Sequence, residues 1–456
     1  MKKLSILAAL LLSTLLMKAQ NADSLFIQKL FANALSNNQS YEQLRYLCKN
    51  IGGRIGGSPQ SVRALTWAET TLRQSGADTV YRQECMVRSW KRGSAEICYA
   101  LKTPSGKLVF DVCALGGAKG TGKEGITAGI IEVKSLDELK ILGEAKIKGK
   151  IVFFNRPADP TFYNTFRAYG RAADQRFYGP SLAASYGAVA SITRSITVVK
   201  HKYPHTGIMQ YIDSLPKIPA FAISTTDADI LSALINKEPQ TNVFLKSTCY
   251  ELPDTISHNV IAEIRGSEFP KEIIVVGAHI DAWDNGEGAH DDGGGVVQAI
   301  DIIRLFKELN YKPRHTIRII EFIDEEMAQR GGRKYAETVK NSNEKHIAAI
   351  ESDEGALLPQ GFSYEAGDSV TKKFEEWKPL LTPYGLWQFH QGYSGVDISF
   401  LEDQKFPLFG LITDSQRYFN YQHASSDKFE AVFQRELQLG TASIATLVYL
   451  IDKYGL

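Results

Sequence analysis

Apolar and polar residues alternate from Asn259 to Arg265, and apolar residues then run unbroken from Ile273 to Val276. The first pattern predicts a strand with one face buried, the second a strand covered on both faces. A glycine-rich turn, Gly293 to Gly295, leads into a segment whose Val296, Val297, Ile300, Ile303 and Phe306 recur at helical spacing. Thr316–Ile323, His346–Glu351 and Leu408–Thr413 read as further central strands. Strands alternating with helices predict an α/β sandwich: a mixed, largely parallel central sheet flanked by helices.

The rest of the chain has a different texture. Ser24 to Cys48 carries Leu25, Phe26, Leu30, Phe31 and Leu35 three and four residues apart and predicts a helix. Gly52, Gly53, Gly56 and Gly57 break it, and a second helix is expected from Ser61 to Ser75, stopped by Gly76. From Leu108 to Glu251 short β-rich runs (Gly125–Val133, Lys148–Asn155) alternate with helix-like Gly179–Gly187 and Asp227–Asn236. This middle third, poor in candidate catalytic groups, reads as a β-rich domain inserted between residues 20–107 and 252–456 of one discontinuous unit.

Charge narrows the partners. Lys plus Arg at 52 nearly cancels Asp plus Glu at 51, so no general field attracts nucleic acid or an anionic membrane. Residues 1–19 have the parts of an export signal: Lys2 and Lys3, an apolar run from Leu4 to Met17, and small Ala19. That run is shorter than the roughly 20 apolar residues of a spanning helix. The mature chain is therefore expected in a periplasm or outside the cell, without membrane insertion. The five cysteines, Cys48, Cys85, Cys98, Cys113 and Cys249, are scattered and include no CxxC pair. They read as small buried hydrophobes rather than zinc ligands, with a Cys85–Cys98 bridge as the alternative.

The polar residues that break the strand pattern cluster where strands end. In an open α/β sheet, ligands collect beyond the carboxyl ends of the strands. His279 and Asp281 follow one strand; Asp291 and Asp292 precede a helix; Glu325 and Glu326 end the next strand; Asp353 and His423 follow two more. Five mixed nitrogen and oxygen ligands, one carboxylate able to bridge, suit two zinc ions about 3.5–4 Å apart. His279 and Asp353 are assigned to one ion, Glu326 and His423 to the other, and Asp291 to the bridge. Glu325, adjacent to a ligand but pointing elsewhere, is the expected general base and acid. Asp281 is expected to orient the His279 imidazole. His290 is a competing ligand beside Asp291, and His201, His205, His258, His315, His346 and His390 read as structural.

These residues resemble those of the aminopeptidase-type di-zinc exopeptidases, and within them the carboxypeptidase Q subfamily. GAHIDAWDNGEGAHDDGGG, from Gly277, resembles that family's first metal segment; Glu325 and Glu326 match its base and ligand; ESDEGALLPQG, from Glu351, carries Asp353; and YFNYQHASSD carries His423. GGRIGGS near Gly52, RSITVV after Arg194, PHTGI after Pro204 and KIPAFAI after Lys217 extend the likeness over nearly the whole mature chain. The resemblance implies a zinc metallopeptidase with two Zn2+ per subunit, a protease-associated insert over 108–251, a homodimer, and unblocked dipeptides as substrates of a zinc-held hydroxide. Two departures stand out: His290 replaces an apolar residue, and MAQRGGRKY replaces a more glycine-rich turn. The rival readings are a broad aminopeptidase on the same centre, a single-zinc glutaminyl cyclase, and a non-catalytic binding module. The complete set of five ligands and Glu325 argues against the last two.

Overall fold

The computed structural model describes residues 22–103 and 106–456; the export signal read over 1–19 lies outside them. Strand β1 (Thr79–Lys91) opens one sheet, and the chain then leaves it. A second sheet follows, built by β2 (Glu96–Thr103), β3 (Gly106–Phe110), β4 (Val112–Ala114), β5 (Ile126–Val133), β6 (Ile151–Phe154), β7 (Ala190–Arg194), β8 (Ala220–Ile223) and β9 (Asn242–Ser247). The chain returns to the first sheet with β10 (Tyr250–Ile264), β11 (Phe269–His279), β12 (His315–Phe322), β13 (Lys345–Glu351), β14 (Pro359–Glu365), β15 (Gln388–Gln391) and β16 (Leu408–Thr413). The orders are β1-β10-β12-β11-β13-β16-β14-β15 and β3-β2-β9-β5-β6-β7-β8-β4.

The second sheet begins at Glu96, not at Leu108. β2 pairs with β9, Glu96 opposite Ser247, so the first strand of the excursion is held by the last. No local pattern in EICYALKT reports that distant partner. The first sheet is parallel through its centre, where β12, β11, β13 and β16 run together; β1, β10 and β14 join antiparallel, and β15 pairs parallel with β14 at the edge.

The centre is parallel because helices cover both faces. All eight residues of β12 are buried, as are the last seven of β11. The helix Gly294–Glu308 lies against this sheet, buried from Gly294 to Phe306, with the long helix Gln434–Tyr454 beside it. Fully burying each Val, Ile, Leu or Phe contributes about 1.5–3 kcal/mol, so this layer anchors the strand ends that carry the polar residues. The expected helix after the glycine cluster spans Pro59–Gln74, with Ser58 capping the Ser61 N–H and Pro59 in its first turn. The expected Ser24–Cys48 helix is divided: residues 22–36, then Gln39–Tyr46 and a π turn, Leu47–Ile51. All five cysteines are buried and unpaired, Cys85 and Cys98 lying in different sheets. Among the described residues no helix is long and apolar enough to cross a membrane.

The two units share an apolar seam containing Trp90, Trp283 and Met327 from one and Leu115 and Met209 from the other. Gly116 is required there: a β-carbon on it would stand 1.8 Å from the Trp283 ring. At a second contact Phe166 stacks on Tyr418 (centroids 5.1 Å) and Tyr169 on Phe419 (4.6 Å).

Candidate active site

His279 closes β11, Glu325 and Glu326 follow β12, Asp353 follows β13, and His423 lies in the loop after β16. Four adjacent parallel strands thus deliver their polar ends to one edge of the sheet. Nε2 of His279 lies 3.2 Å from Asp353 Oδ1 and 3.3 Å from Asp291 Oδ1. Nε2 of His423 lies 3.3 Å from Asp291 Oδ2 and 3.2 Å from Glu326 Oε2. One carboxylate therefore faces both imidazoles, each oxygen toward a different one.

Two groups of donor atoms, each within 4.8 Å, result: His279, Asp292 and Asp353, and Asp291, Glu326 and His423. Asp292 enters the first group by proximity, but its oxygens are committed to backbone, accepting from His279 N (3.2 Å) and Gly295 N (3.0 Å). Asp291 is the better shared donor, since its Oδ2 is buried with no hydrogen-bond partner. Glu326 Oε1 is similarly orphaned. Buried acceptors without donors are costly unless a cation satisfies them.

The electrostatics agree with a cation site. Burial pushes the Glu325 and Glu326 carboxyls well above their ordinary range, and neighbouring carboxylates push further. Burial lowers His423 to about 3, leaving a neutral imidazole with a free lone pair. Burial opposes charge on His279 too, but Asp353 and Asp291 outweigh it and hold its pKa well above normal. Such a concentration of buried carboxylates around two imidazoles is relieved by protonation or by positive charge between them. Mixed N and O donors of this kind fit zinc.

Several residues that sequence reasoning missed hold the donors in place. The expected role of Asp281 changes: its backbone carbonyl accepts from or faces His279 Nδ1 at 3.0 Å, whereas its carboxylate is 3.9 Å away. That carboxylate accepts from Glu325 N (3.2 Å) and Glu326 N (3.4 Å), so it fixes the turn carrying the expected base and ligand. Asp427 accepts from His290 N (2.8 Å) and Asp291 N (3.1 Å). Arg54, fully buried, donates to the carbonyls of Ile280 (2.6 Å), Glu287 (2.8 Å) and Gly288 (3.0 Å), bracing the loop between His279 and Asp291. It is the Arg of GGRIGGS, a stretch noticed only for its likeness. His423 has φ +62, a conformation disfavoured for a side-chain-bearing residue. It is held there by Thr206 N (2.9 Å) and Asn285 Nδ2 (3.0 Å), both donating to its carbonyl.

His290 is not brought to the donors. Its ring stacks on Tyr421 (4.9 Å, 14°) and its Nε2 faces the Ala431 carbonyl at 3.3 Å. A cavity of about 320 Å³ opens over Asp291, Glu325, Glu326, Asp353 and His423. Its far wall comes from the inserted unit, through Phe166, Tyr169, Arg176 and Ile208, so the middle third is not the bystander its composition suggested. A larger groove of about 1000 Å³ lies elsewhere, lined by Lys345, His346 and Leu456 and by none of the donor residues.

The profile of Peptidase family M28 matches residues 259–448, the stretch that contains every expected ligand. Carboxypeptidase Q of Bos taurus is 32% identical over 91% of this chain and 86% of that protein, and the Homo sapiens protein gives the same figures. The chain belongs to peptidase family M28. It is a zinc metallopeptidase of the mixed α/β fold described above. A crystal structure of an M28 peptidase precursor from Shewanella amazonensis SB2B superimposes with TM-score 0.91 at 30% identity, covering 96% of this chain and 98% of that one. The zinc aminopeptidase of Bacillus subtilis shares the fold at TM-score 0.65 and 19% identity, over 91% and 95% of the two chains. The insert of this M28 peptidase is thus matched along with the catalytic sheet, since the Shewanella structure covers both.

Proposed function

We propose that this M28 peptidase is an exported exopeptidase that binds two zinc ions per subunit and hydrolyses unblocked dipeptides. The observation that carries the reading is the shared Asp291 carboxylate, 3.3 Å from an imidazole on either side, beneath a cavity that Glu325 also lines. His279 and Asp353 are assigned to one ion and Glu326 and His423 to the other. Two bound zinc ions would supply Lewis acidity to polarise the scissile carbonyl and to acidify a water between them.

The chain's own residues do the rest. Glu325 Oε takes the proton of the attacking water and returns it to the departing amine, a role that needs a carboxylate within hydrogen-bond reach and free of metal. Burial, which raises its pKa, favours that exchange. Asp281 holds the Glu325–Glu326 backbone and so positions base and ligand at the same cavity. The cavity volume supports small substrates, because about 320 Å³ is at the low end of the roughly 300–1,000 Å³ of ligand pockets. Export follows from the signal read over residues 1–19 and a homodimer from the family resemblance.

A zinc count with a dipeptide panel, before and after chelation, tests the reading. Glu325→Gln should keep its zinc and lose about 10²–10⁴-fold in kcat. Unchanged turnover would remove Glu325 from the mechanism, and one zinc per subunit would remove the bridge.

A further inference from the structure

We infer that Arg176, contributed by the inserted domain, binds the free carboxylate of the substrate and so makes this cleft selective for unblocked C-termini. The inference deepens the dipeptidase reading and rests on it for the identity of the ligand. Arg176 lies in the short helix Asp174–Phe177 and is 7% exposed, yet it lines the cavity over the donor cluster. Among the residues lining that cavity it is the one lysine or arginine, facing Asp291, Glu325, Glu326, Glu351, Asp353 and Glu354.

A buried guanidinium ordinarily has a carboxylate or several carbonyls. Arg176 has neither. Among the described residues its single hydrogen bond runs from Nη1 to the Thr206 carbonyl at 3.3 Å, its Nε is buried without a partner, and no ion pair reaches it. Its remaining contact is the Tyr169 ring, 5.4 Å from the guanidinium carbon. Arg54 makes the contrast, with every nitrogen bonded to a carbonyl. A structural arginine is satisfied; Arg176 is kept largely unsatisfied at the wall of a cleft.

Its position is set by the same loop that sets a metal donor. Gly207 has φ +127, and a β-carbon there would lie 2.5 Å from Arg176 Nη1 and 2.7 Å from His423 Nδ1. Guanidinium and imidazole thus rest side by side against one glycine. A peptide whose carbonyl lies at the donor cluster would extend its next residue along this wall. In a dipeptide that residue ends in a carboxylate, which the surrounding acids would repel unless a cation received it. The planar fork of arginine matches a carboxylate with two parallel hydrogen bonds.

Binding and turnover separate this inference from the reading it rests on. In a zinc-loaded Glu325→Gln background, calorimetry compares alanylalanine with its C-terminal amide. The free acid should bind on the order of 10²-fold more tightly, the scale of a desolvated charge pair. Adding Arg176→Gln should abolish that preference by weakening the acid alone, the amide serving as the internal measure of folded protein. Arg176→Lys, which keeps a point charge, should retain a reduced preference. Equal affinities in the parent, or a preference that survives Arg176→Gln, would overturn the inference even if the native enzyme cleaves dipeptides. Conversely, an Arg176-dependent preference in a protein that cleaves no dipeptide would leave the inference standing and remove the dipeptidase reading.

Discussion

Replacing Arg54 by Met should damage the metal site without touching a donor. Three strong hydrogen bonds from a charged group are lost, at 2.6, 2.8 and 3.0 Å, and each such bond contributes about 1.5–3 kcal/mol. Removing a desolvated charge returns part of this, because burial already lowers the Arg54 pKa. The carbonyls of Ile280 and Glu287 nevertheless lose their side-chain donor, while Gly288 keeps Gly293 N at 3.0 Å, so a net loss of about 4 kcal/mol is expected. At about 2–4 °C per kcal/mol, the zinc-free melting temperature should fall by on the order of 8 °C. The loop from Ile280 to Gly288 joins His279 to Asp291, so zinc retention on dialysis should fall as well. Arg54→Lys, with one short donor group in place of a fork, should lie between. A melting temperature within about 2 °C of the parent, or normal zinc retention by the Met variant, would show that the loop holds itself and that the brace is not needed.

Other expectations follow from the same geometry. Burial drives every thiol upward, Cys85 to about 12, so a thiol reagent at pH 8 should label none of the five cysteines until denaturant is added, and then all of them. His290→Leu should leave the zinc count unchanged, since the ring is stacked on Tyr421; loss of one ion would restore His290 as a ligand. Burial, helped by Arg318, lowers His346 to about 4, while in the unfolded chain it titrates near 6.5. Between those values only the unfolded state takes up the proton, so stability rises with pH through the window and is lost as pH falls from 6.5 toward 4. Unfolding curves of His346→Gln at pH 4.5 and 7 should therefore differ less than those of the parent, by up to about 3 kcal/mol. An unchanged pH dependence would count against a buried neutral imidazole.

The catalytic sheet was readable because its strands are buried on both faces and end in residues no core would choose. Ile273–Val276 is continuously apolar, and the next polar side chain with chemistry is His279. The readable segment understated β11, which begins at Phe269, because its first residues, Phe269 to Lys271, are exposed and show no buried-strand pattern. β1, by contrast, spans Thr79–Lys91 with a mixed burial pattern and a register shift between Val87 and Ser89 against β10, so neither alternation nor an apolar run announced it. Which side chains converge was legible only where donor type decided it. Asp281 is two residues from His279, and that proximity points its carboxylate at the imidazole; in the fold its carbonyl takes that place and frees the carboxylate for the next turn. Arg54 and Asp427 act through backbone groups far away in sequence, and nothing local distinguishes them from surface charges.

The inserted unit shows why a composition-based division of labour fails here. Among its described residues none joins the donor groups, yet Thr206 fixes the carbonyl of His423 in a left-handed conformation, and a bridge between His205 and Ala424 extends that grip. Phe166 and Tyr169 stack on Tyr418 and Phe419 and close the cleft over the donors. One unit supplies the proposed ligands from beyond the ends of four strands; the other supplies the wall, the clamp on one of them and the cleft's single guanidinium. Separating the two units would therefore do more than open the pocket. It would release His423 from the backbone geometry that aims Nε2 at Asp291 and Glu326, so zinc affinity and substrate enclosure should be lost together. Gly116→Val, which drives a side chain into the Trp283 ring at the seam, makes that coupling measurable. Zinc loss in parallel with activity supports it, whereas an inactive variant with full zinc content would confine the insert's role to the wall.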